Sequence, residues 1–159
     1  MTDTTPKPVF QVGDKAPTFD LPNQKGQIIS SKQLLESGQK ILLVFYPSDM
    51  TPGCTIQLCG IRDIYQEYRE LNVTVLGINH GDQKSHQKFI DMHKYQFDIL
   101  VDTDKIISRE FGQIGSFFGN PTVKRGVILI DTNGKIIYIK QGQQDNQEVI
   151  KFVKGLPKD

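Results

Sequence analysis

The sequence has few cysteines, little net charge and no long apolar run, and each shortage excludes a class of protein. Two cysteines among 159 residues are too few for a secreted domain held together by disulfides. The 19 Lys and Arg against 18 Asp and Glu leave a net charge of +1, so nothing electrostatic favours nucleic acid or an anionic membrane as partner. The longest apolar runs, such as residues 41–46, have six residues, whereas a membrane-spanning helix needs about 20.

The remaining composition is that of a globular protein. Hydrophobic residues make up 37% and charged residues 23%, which is ordinary for a folded chain. A chain of this length forms one domain and buries about 70% of its unfolded surface. Residues 1–8 are polar and lack the apolar segment of a secretory signal, so we expect a flexible arm followed by a single domain over residues 9–159. The expected location is the cytoplasm.

Apolar periodicity and turn residues predict alternating strands and helices. Continuous apolar runs favour strands buried on both faces, and Asn133-Gly134 between two runs indicates a hairpin. Strands are expected at residues 41–46, 73–79, 98–101, 126–131 and 135–140, after a hairpin over 18–30. Helices are expected after the caps Ser30, Thr51, Asp82 and Asp145, and at 104–111; the one that begins at Thr51 extends through Tyr68. This order predicts an α/β fold of thioredoxin-like type, a mixed sheet flanked by helices.

The segment that joins the strand at residues 41–46 to the long helix carries the chemistry. Thr is a good N-cap and Pro is favoured at the first helical position, so Thr51 is predicted to cap the helix and Cys54 to lie in its first turn. Free backbone N–H groups and the positive end of the helix dipole favour a thiolate there, and the thiolate is the nucleophile. Gly53 keeps side-chain bulk away from the sulfur. The alternative is that Cys54 is a small buried side chain without chemistry.

Cys59 follows Cys54 by five residues on the same predicted helix. In an intact helix their Cα atoms lie about 8–9 Å apart, whereas a disulfide requires less than about 7 Å. Either Cys59 is a bystander or the helix unwinds during the reaction. The absence of a C-x-x-C motif disfavours thioredoxin-type dithiol exchange.

Neither a metal nor an organic cofactor is predicted. The three histidines, His80, His86 and His93, have no zinc-ligand spacing with the two cysteines and are expected on surface helix faces or in loops. No glycine-rich phosphate-binding loop of known spacing is present.

The string Pro47-x-x-x-Thr51-x-x-Cys54 resembles the active-site motif of peroxiredoxins. The longer string Thr51-Pro-Gly-Cys-Thr, followed by Cys59-Gly-x-Arg-Asp63, resembles their bacterioferritin-comigratory-protein, or Q-type, subfamily. The resemblance extends over residues 10–154, and it implies a thioredoxin-like peroxiredoxin domain with an N-terminal β-hairpin.

The resemblance also implies a role for each of five residues. Cys54 would be the peroxidatic cysteine and Cys59 the resolving cysteine. Thr51 would hydrogen-bond the peroxide, and Pro47 would shape and shield the pocket. Arg125, which precedes the strand at residues 126–131, would stabilise the thiolate and the oxygen under attack. Without the resemblance, Arg125 is interpreted as a solvated surface charge.

The implied function is that of a thiol peroxidase that reduces hydrogen peroxide and organic hydroperoxides. A Cys54 sulfenic acid and a Cys54–Cys59 disulfide would form in turn, and thioredoxin would reduce the disulfide. The implied protein is a monomer without metal, haem or nucleotide.

Two other functions stay open. A thioredoxin-like disulfide oxidoreductase would reduce insulin rather than consume peroxide. A non-enzymatic redox sensor or holdase would not sustain turnover with thioredoxin and its reductase.

Overall fold

A five-stranded mixed sheet forms the centre of the structure, a computed structural model that describes residues 10–157. The elements are β1 (Asp20–Pro22), β2 (Ile28–Ser30), α1 (Ser31–Glu36), β3 (Lys40–Phe45), α2 (Pro52–Asp63), α3 (Tyr65–Glu70), β4 (Val73–Asn79), α4 (Gln83–His93), β5 (Asp98–Val101), α5 (Ile106–Glu110), β6 (Ile114–Phe117), β7 (Asn120–Val123), β8 (Gly126–Ile130), β9 (Ile136–Gln141) and α6 (Asn146–Lys154). The order in the sheet is β5-β4-β3-β8-β9. Strands β3, β4 and β5 are parallel to one another. Strand β8 pairs antiparallel with β3, and β9 pairs antiparallel with β8.

Side chains of β3 alternate between two apolar layers because successive residues of a strand point to opposite faces. Leu42 and Val44 face a cluster that includes residues of α2, α3, α4 and α6, among them Cys54. Ile41, Leu43 and Phe45 face a second cluster on the side of α5. The sheet is thus covered on both faces, which confirms the mixed sheet flanked by helices and explains why its central strands are continuously apolar.

Three predicted helix caps are confirmed by side-chain hydrogen bonds. Ser30 Oγ accepts from the Gln33 N–H at 3.2 Å, and Asp82 Oδ1 accepts from the Ser85 N–H at 2.8 Å. Asp145 Oδ1 accepts from two backbone N–H groups of α6. Each bond satisfies an N–H group that the helix itself leaves free.

Two sequence predictions need correction, and one element was not predicted. The single helix expected to extend through Tyr68 is two helices, because Ile64 leaves the helical conformation at φ −124° and ψ 19°. The helix expected over residues 104–111 is confined to α5. Residues 114–123 form the antiparallel hairpin β6–β7, which the sequence analysis does not predict.

The predicted hairpin β1–β2 is confirmed, and its turn contacts the edge strand β5. Gln24 Oε1 accepts from the backbone N–H of Ile99 at 3.1 Å. Gln24 Nε2 donates to Asp98 Oδ1 at 2.8 Å, and Asn23 Nδ2 donates to Asp98 Oδ2 at 3.1 Å. The hairpin therefore binds the outer edge of the sheet through side-chain amides.

The arm predicted at residues 1–8 lies outside the described residues. The domain boundary at residue 9 stays a prediction, as does the cytoplasmic location. Between residues 10 and 157, every helix is too short or too polar to cross a membrane.

Candidate active site

Cys54 lies in the first turn of α2, as the sequence predicts. Thr51 occupies the N-cap with φ −82° and ψ 148°, and Pro52 occupies the first helical position. The Cys54 side chain is 0% exposed and its thiol is free. Its sulfur is therefore shielded from bulk water at the positive end of a helix dipole.

The Thr51 side chain does not form the expected helix cap. Its hydroxyl accepts no hydrogen bond from the first turn and instead donates to the Ser48 carbonyl oxygen at 3.1 Å. A hydroxyl that donates retains two lone pairs, so Thr51 can still accept a hydrogen bond from a substrate. Pro47, the other residue of the motif in this loop, is half-buried and lies two residues after the end of β3.

Arg125 reaches the first turn of α2 from the start of β8. A Cβ at Gly53 would lie 2.8 Å from Arg125 Nη2 and 3.4 Å from Arg125 Cζ. The guanidinium therefore covers the Cα of Gly53, next to Cys54 in the chain, and any side chain at position 53 would have to displace it. The structure thus contradicts the interpretation of Arg125 as a freely solvated charge, whereas the adjacent Lys124 is exposed.

Gln57, a residue that was not predicted to belong to the site, holds this arginine. Arg125 Nη1 donates to Gln57 Oε1 at 3.0 Å, and Gln57 Nε2 lies 3.4 Å from the Phe45 carbonyl oxygen. Gln57 is 0% exposed and lies one helical turn after Cys54. An available signal was its position: it is a polar residue on the same apolar helix face as Cys54 and Leu58.

A buried network fixes the loop that precedes Cys54. The Tyr46 hydroxyl donates to Asp49 Oδ1 at 2.6 Å, and the Ser85 hydroxyl donates to Asp49 Oδ2, also at 2.6 Å. His86 Nδ1 lies 2.7 Å from the same Oδ2. Asp49 is thereby tied to the end of β3 and to α4, and it holds the loop through which the chain passes from Pro47 to Thr51.

His86 corrects the expectation that the histidines lie at the surface. Its side chain is 0% exposed, whereas His80 and His93 are partly exposed. His86 Nε2 lies 3.1 Å from the Leu100 carbonyl oxygen and 3.3 Å from the Asn79 carbonyl oxygen. One ring nitrogen of His86 thus faces a carboxylate, and the other faces two backbone carbonyl oxygens.

The pKa of Asp49 is lowered by this network. Burial alone would raise it, but the hydrogen bond and charge of His86 and the hydroxyls of Ser85 and Tyr46 outweigh burial. Burial raises the pKa of Tyr46, and the charge and hydrogen bond of Asp49 raise it further. At neutral pH, Asp49 is thus an ionised acceptor and Tyr46 a neutral donor.

Protonation of Asp49 is expected to lower the stability of the folded protein in acid. The pKa of Asp49 is lower in the folded protein than in the unfolded chain, where an Asp has a pKa of about 3.9. The contribution of Asp49 to the free energy of unfolding is therefore complete above the unfolded pKa and is lost as the pH falls through the folded pKa. Asp49→Asn should be less stable at neutral pH and lose less stability between about pH 5 and 2. Urea unfolding at neutral pH and between about pH 5 and 2 measures both effects. Asp91→Asn, at an exposed carboxylate, is the control and should retain the wild-type pH dependence.

Cys59 lies on α2 with Cys54, because α2 is continuous from Pro52 to Asp63. It is partly exposed and its thiol is also free. The Cys59 Sγ lies 3.5 Å from the Tyr95 hydroxyl oxygen. The structure therefore places both cysteines on one helix, with Arg125 against Gly53, the residue before the first cysteine, and Tyr95 against the second. In the part of the chain that the structure describes, no group of three His, Cys, Asp or Glu side chains could hold a metal ion.

This arrangement defines a class of protein: a buried thiol at a helix start, on a thioredoxin-like sheet, with an arginine against the same turn. Residues 12–139 match the AhpC/TSA family. The chain is 38% identical over 131 residues to a putative peroxiredoxin bcp of Coxiella burnetii, covering 80% of this chain and 85% of that protein. It is also 38% identical over 134 residues to peroxiredoxin Bcp of Escherichia coli, covering 82% of this chain and 85% of that protein.

A solved structure agrees with these relatives. The crystal structure of peroxidoxin BcpB from Mycobacterium tuberculosis superimposes with a TM-score of 0.84 at 27% identity, covering 92% of this chain and 98% of that one. The chain belongs to the AhpC/TSA family and, within it, to the peroxiredoxins of the Bcp/Q kind. The protein is accordingly a thiol peroxidase, an oxidoreductase that acts on peroxides.

Proposed function

We propose that Cys54 is the peroxidatic cysteine and that it reduces hydrogen peroxide and organic hydroperoxides. The observation that carries the proposal is the first turn of α2, which contains the Cys54 thiol and where the Arg125 guanidinium covers Gly53, the residue directly before Cys54. A cation and a helix start both favour a thiolate over a thiol. The same cation stabilises negative charge that develops on the peroxide oxygens.

The first step is attack by the Cys54 thiolate on the terminal oxygen of the peroxide. The S–O bond forms as the O–O bond breaks, and the leaving oxygen takes a proton and departs as water or alcohol. Sulfur is oxidised to a sulfenic acid and the peroxide is reduced. Thr51 accepts a hydrogen bond from the peroxide O–H, and Pro47 excludes water from the pocket.

The second step is condensation of Cys59 with the Cys54 sulfenic acid. An S–S bond forms between the two sulfurs, and the sulfenic oxygen leaves as water. A reduced thioredoxin then donates two electrons by thiol–disulfide exchange, which restores both thiols and leaves thioredoxin oxidised. We propose that the protein performs this cycle as a monomer.

Loss of NADPH in the presence of thioredoxin, thioredoxin reductase and peroxide tests the cycle. Steady turnover that requires both peroxide and thioredoxin is the expected result. Peroxide consumption with dithiothreitol but not with thioredoxin would contradict the proposed reductant. Insulin reduction without peroxide consumption would contradict the assignment of Cys54.

Oxidation is expected to unwind part of α2. Cα atoms about 8–9 Å apart on an intact helix are too distant for a disulfide, so the turns between Cys54 and Cys59 must open. Far-ultraviolet circular dichroism should show less helix in the oxidised protein. Amide hydrogen exchange should be faster over residues 51–63 and unchanged in β8. Equal protection of residues 51–63 in both redox forms would contradict an intramolecular Cys54–Cys59 bond.

A further inference from the structure

Tyr95 lies directly against the second cysteine. Its hydroxyl oxygen is 3.5 Å from Cys59 Sγ, within hydrogen-bond distance for sulfur. The ring stacks between His93, at a centroid distance of 5.5 Å, and Phe97, at 5.1 Å. Phe89 contacts it edge-on at 5.2 Å. Tyr95 as a whole is only 6% exposed, so its hydroxyl is held in one place.

The Tyr95 hydroxyl remains protonated at neutral pH. Burial raises the pKa of Tyr95 above its ordinary value, and the hydrogen bond with Cys59 raises it further. A neutral phenol can donate to the Cys59 sulfur or accept from its S–H. The contact therefore persists whether Cys59 is a thiol or a thiolate.

Two more hydrogen bonds join the same segment, residues 93–96, to the second half of α2. Arg62 Nη1 donates to the His93 carbonyl oxygen at 2.9 Å. Gln96 Nε2 donates to the Arg62 carbonyl oxygen at 3.1 Å. All three contacts fall at or after Cys59, and they hold this part of α2 against the segment that carries Tyr95.

We propose that the Tyr95 hydroxyl is a positioning group that holds Cys59 in the folded helix and so sets the rate of disulfide formation. The inference rests on the proposed function, because it requires Cys59 to be the thiol that condenses with the Cys54 sulfenic acid. Formation of the S–S bond removes Cys59 from the helix and breaks the contact with Tyr95. Tyr95 therefore slows the second step and leaves the first step unchanged.

The Tyr95→Phe variant tests this role because it removes the hydroxyl and keeps the ring stack. The protein is mixed with one equivalent of hydrogen peroxide, quenched with a thiol-blocking reagent at intervals, and analysed by mass spectrometry for sulfenic acid and disulfide. Disulfide formation should be about two- to tenfold faster than in the wild type, the ratio that one hydrogen bond gives. Peroxide consumption in the first step should proceed at the wild-type rate.

A second readout follows from the lifetime of the sulfenic acid. Further oxidation to sulfinic acid competes with disulfide formation. The peroxide concentration that converts half of Cys54 to sulfinic acid should therefore rise in Tyr95→Phe by a similar factor. Tyr65→Phe is the matched control, since the Tyr65 ring packs against the same Phe97; it should behave like the wild type in both assays.

The outcomes separate this inference from the proposed cycle. If the wild-type protein forms the disulfide and the Tyr95→Phe variant forms it no faster, the proposed role of Tyr95 is overturned and the proposed cycle stands. Slower formation in the variant also overturns that role and would instead make the hydroxyl an activator of Cys59. A Tyr95→Phe variant with a lower melting temperature but the wild-type rate of disulfide formation would show that Tyr95 contributes packing only, and would also overturn the inference. Wild-type protein that forms no Cys54–Cys59 disulfide overturns both the inference and the second step.

Discussion

The Cys54→Ser variant is expected to show no peroxide reduction above background with any reductant. A serine hydroxyl in this turn is not ionised at neutral pH, and the reaction needs the sulfur nucleophile. The loss should be complete with thioredoxin and with dithiothreitol, measured as peroxide consumption. The fold should survive, because the side chain changes by one atom. Substantial residual activity would contradict the assignment of Cys54.

The Cys59→Ser variant is the control for that loss. Its Cys54 retains the helix start and Arg125, so one equivalent of peroxide should be consumed at the wild-type rate. Sulfenic acid should then accumulate, detectable by a sulfenic-acid-specific reagent, and turnover with thioredoxin should be largely lost. Two cysteine variants that fail in the same way would contradict the separate roles.

Displacement of the Arg125 guanidinium is expected to slow the peroxide step by about 100-fold, the effect of removing one preorganised donor from developing charge. Gly53→Ala should produce this displacement, because the new Cβ would occupy space that Arg125 Nη2 now fills. Arg125→Ala should produce a similar loss. The rate of sulfenic acid formation in a single turnover measures both effects.

Stability and charge provide the controls for the arginine. Alanine is a better helix former than glycine by about 1 kcal/mol, so Gly53→Ala should not lower the melting temperature through helix propensity. Lys124→Ala removes the neighbouring exposed cation and should retain the wild-type rate. A slow Lys124→Ala variant would mean that overall charge, rather than the position of Arg125, governs the step.

Local signals in the sequence predict much of this fold. The mostly apolar strands β3 and β4 and the helix starts at Ser30, Asp82 and Asp145 depend on residues that are neighbours in the chain. Cys54 belongs to the same category, because Thr51 and Pro52 mark its helix start without reference to distant residues.

Hairpin β6–β7 was missed because its turn lacks the usual residues. Its two central residues, Phe118 and Gly119, have φ of +50° and +80°, which is the pattern of a type I′ turn normally marked by Asn-Gly. Phenylalanine at the first position conceals that signal. Most residues of both strands are also exposed or partly exposed, so no apolar alternation reveals them. The break at Ile64 was concealed in the opposite way, because the apolar spacing continues across it.

The surroundings of Cys54 could not be predicted because they depend on contacts between distant residues. Asp49 and His86 are 37 residues apart, and Gln57 and Arg125 are 68 residues apart. Only the folded sheet brings the start of β8 and the start of α4 to the loop after β3. For the same reason, the contact between Tyr95 and Cys59, which are 36 residues apart, could not be predicted.

The contact between hairpin β1–β2 and strand β5 has a consequence for association between chains. An edge strand with free N–H groups is a template on which a foreign strand can pair, and this leads to aggregation. Here the side-chain amide oxygen of Gln24 accepts a hydrogen bond from the N–H of Ile99, as the backbone carbonyl of a neighbouring strand would. Addition of another chain at β5 would first have to displace the hairpin turn and its two bonds to Asp98. The hairpin thus protects this edge of the sheet from edge-to-edge polymerisation.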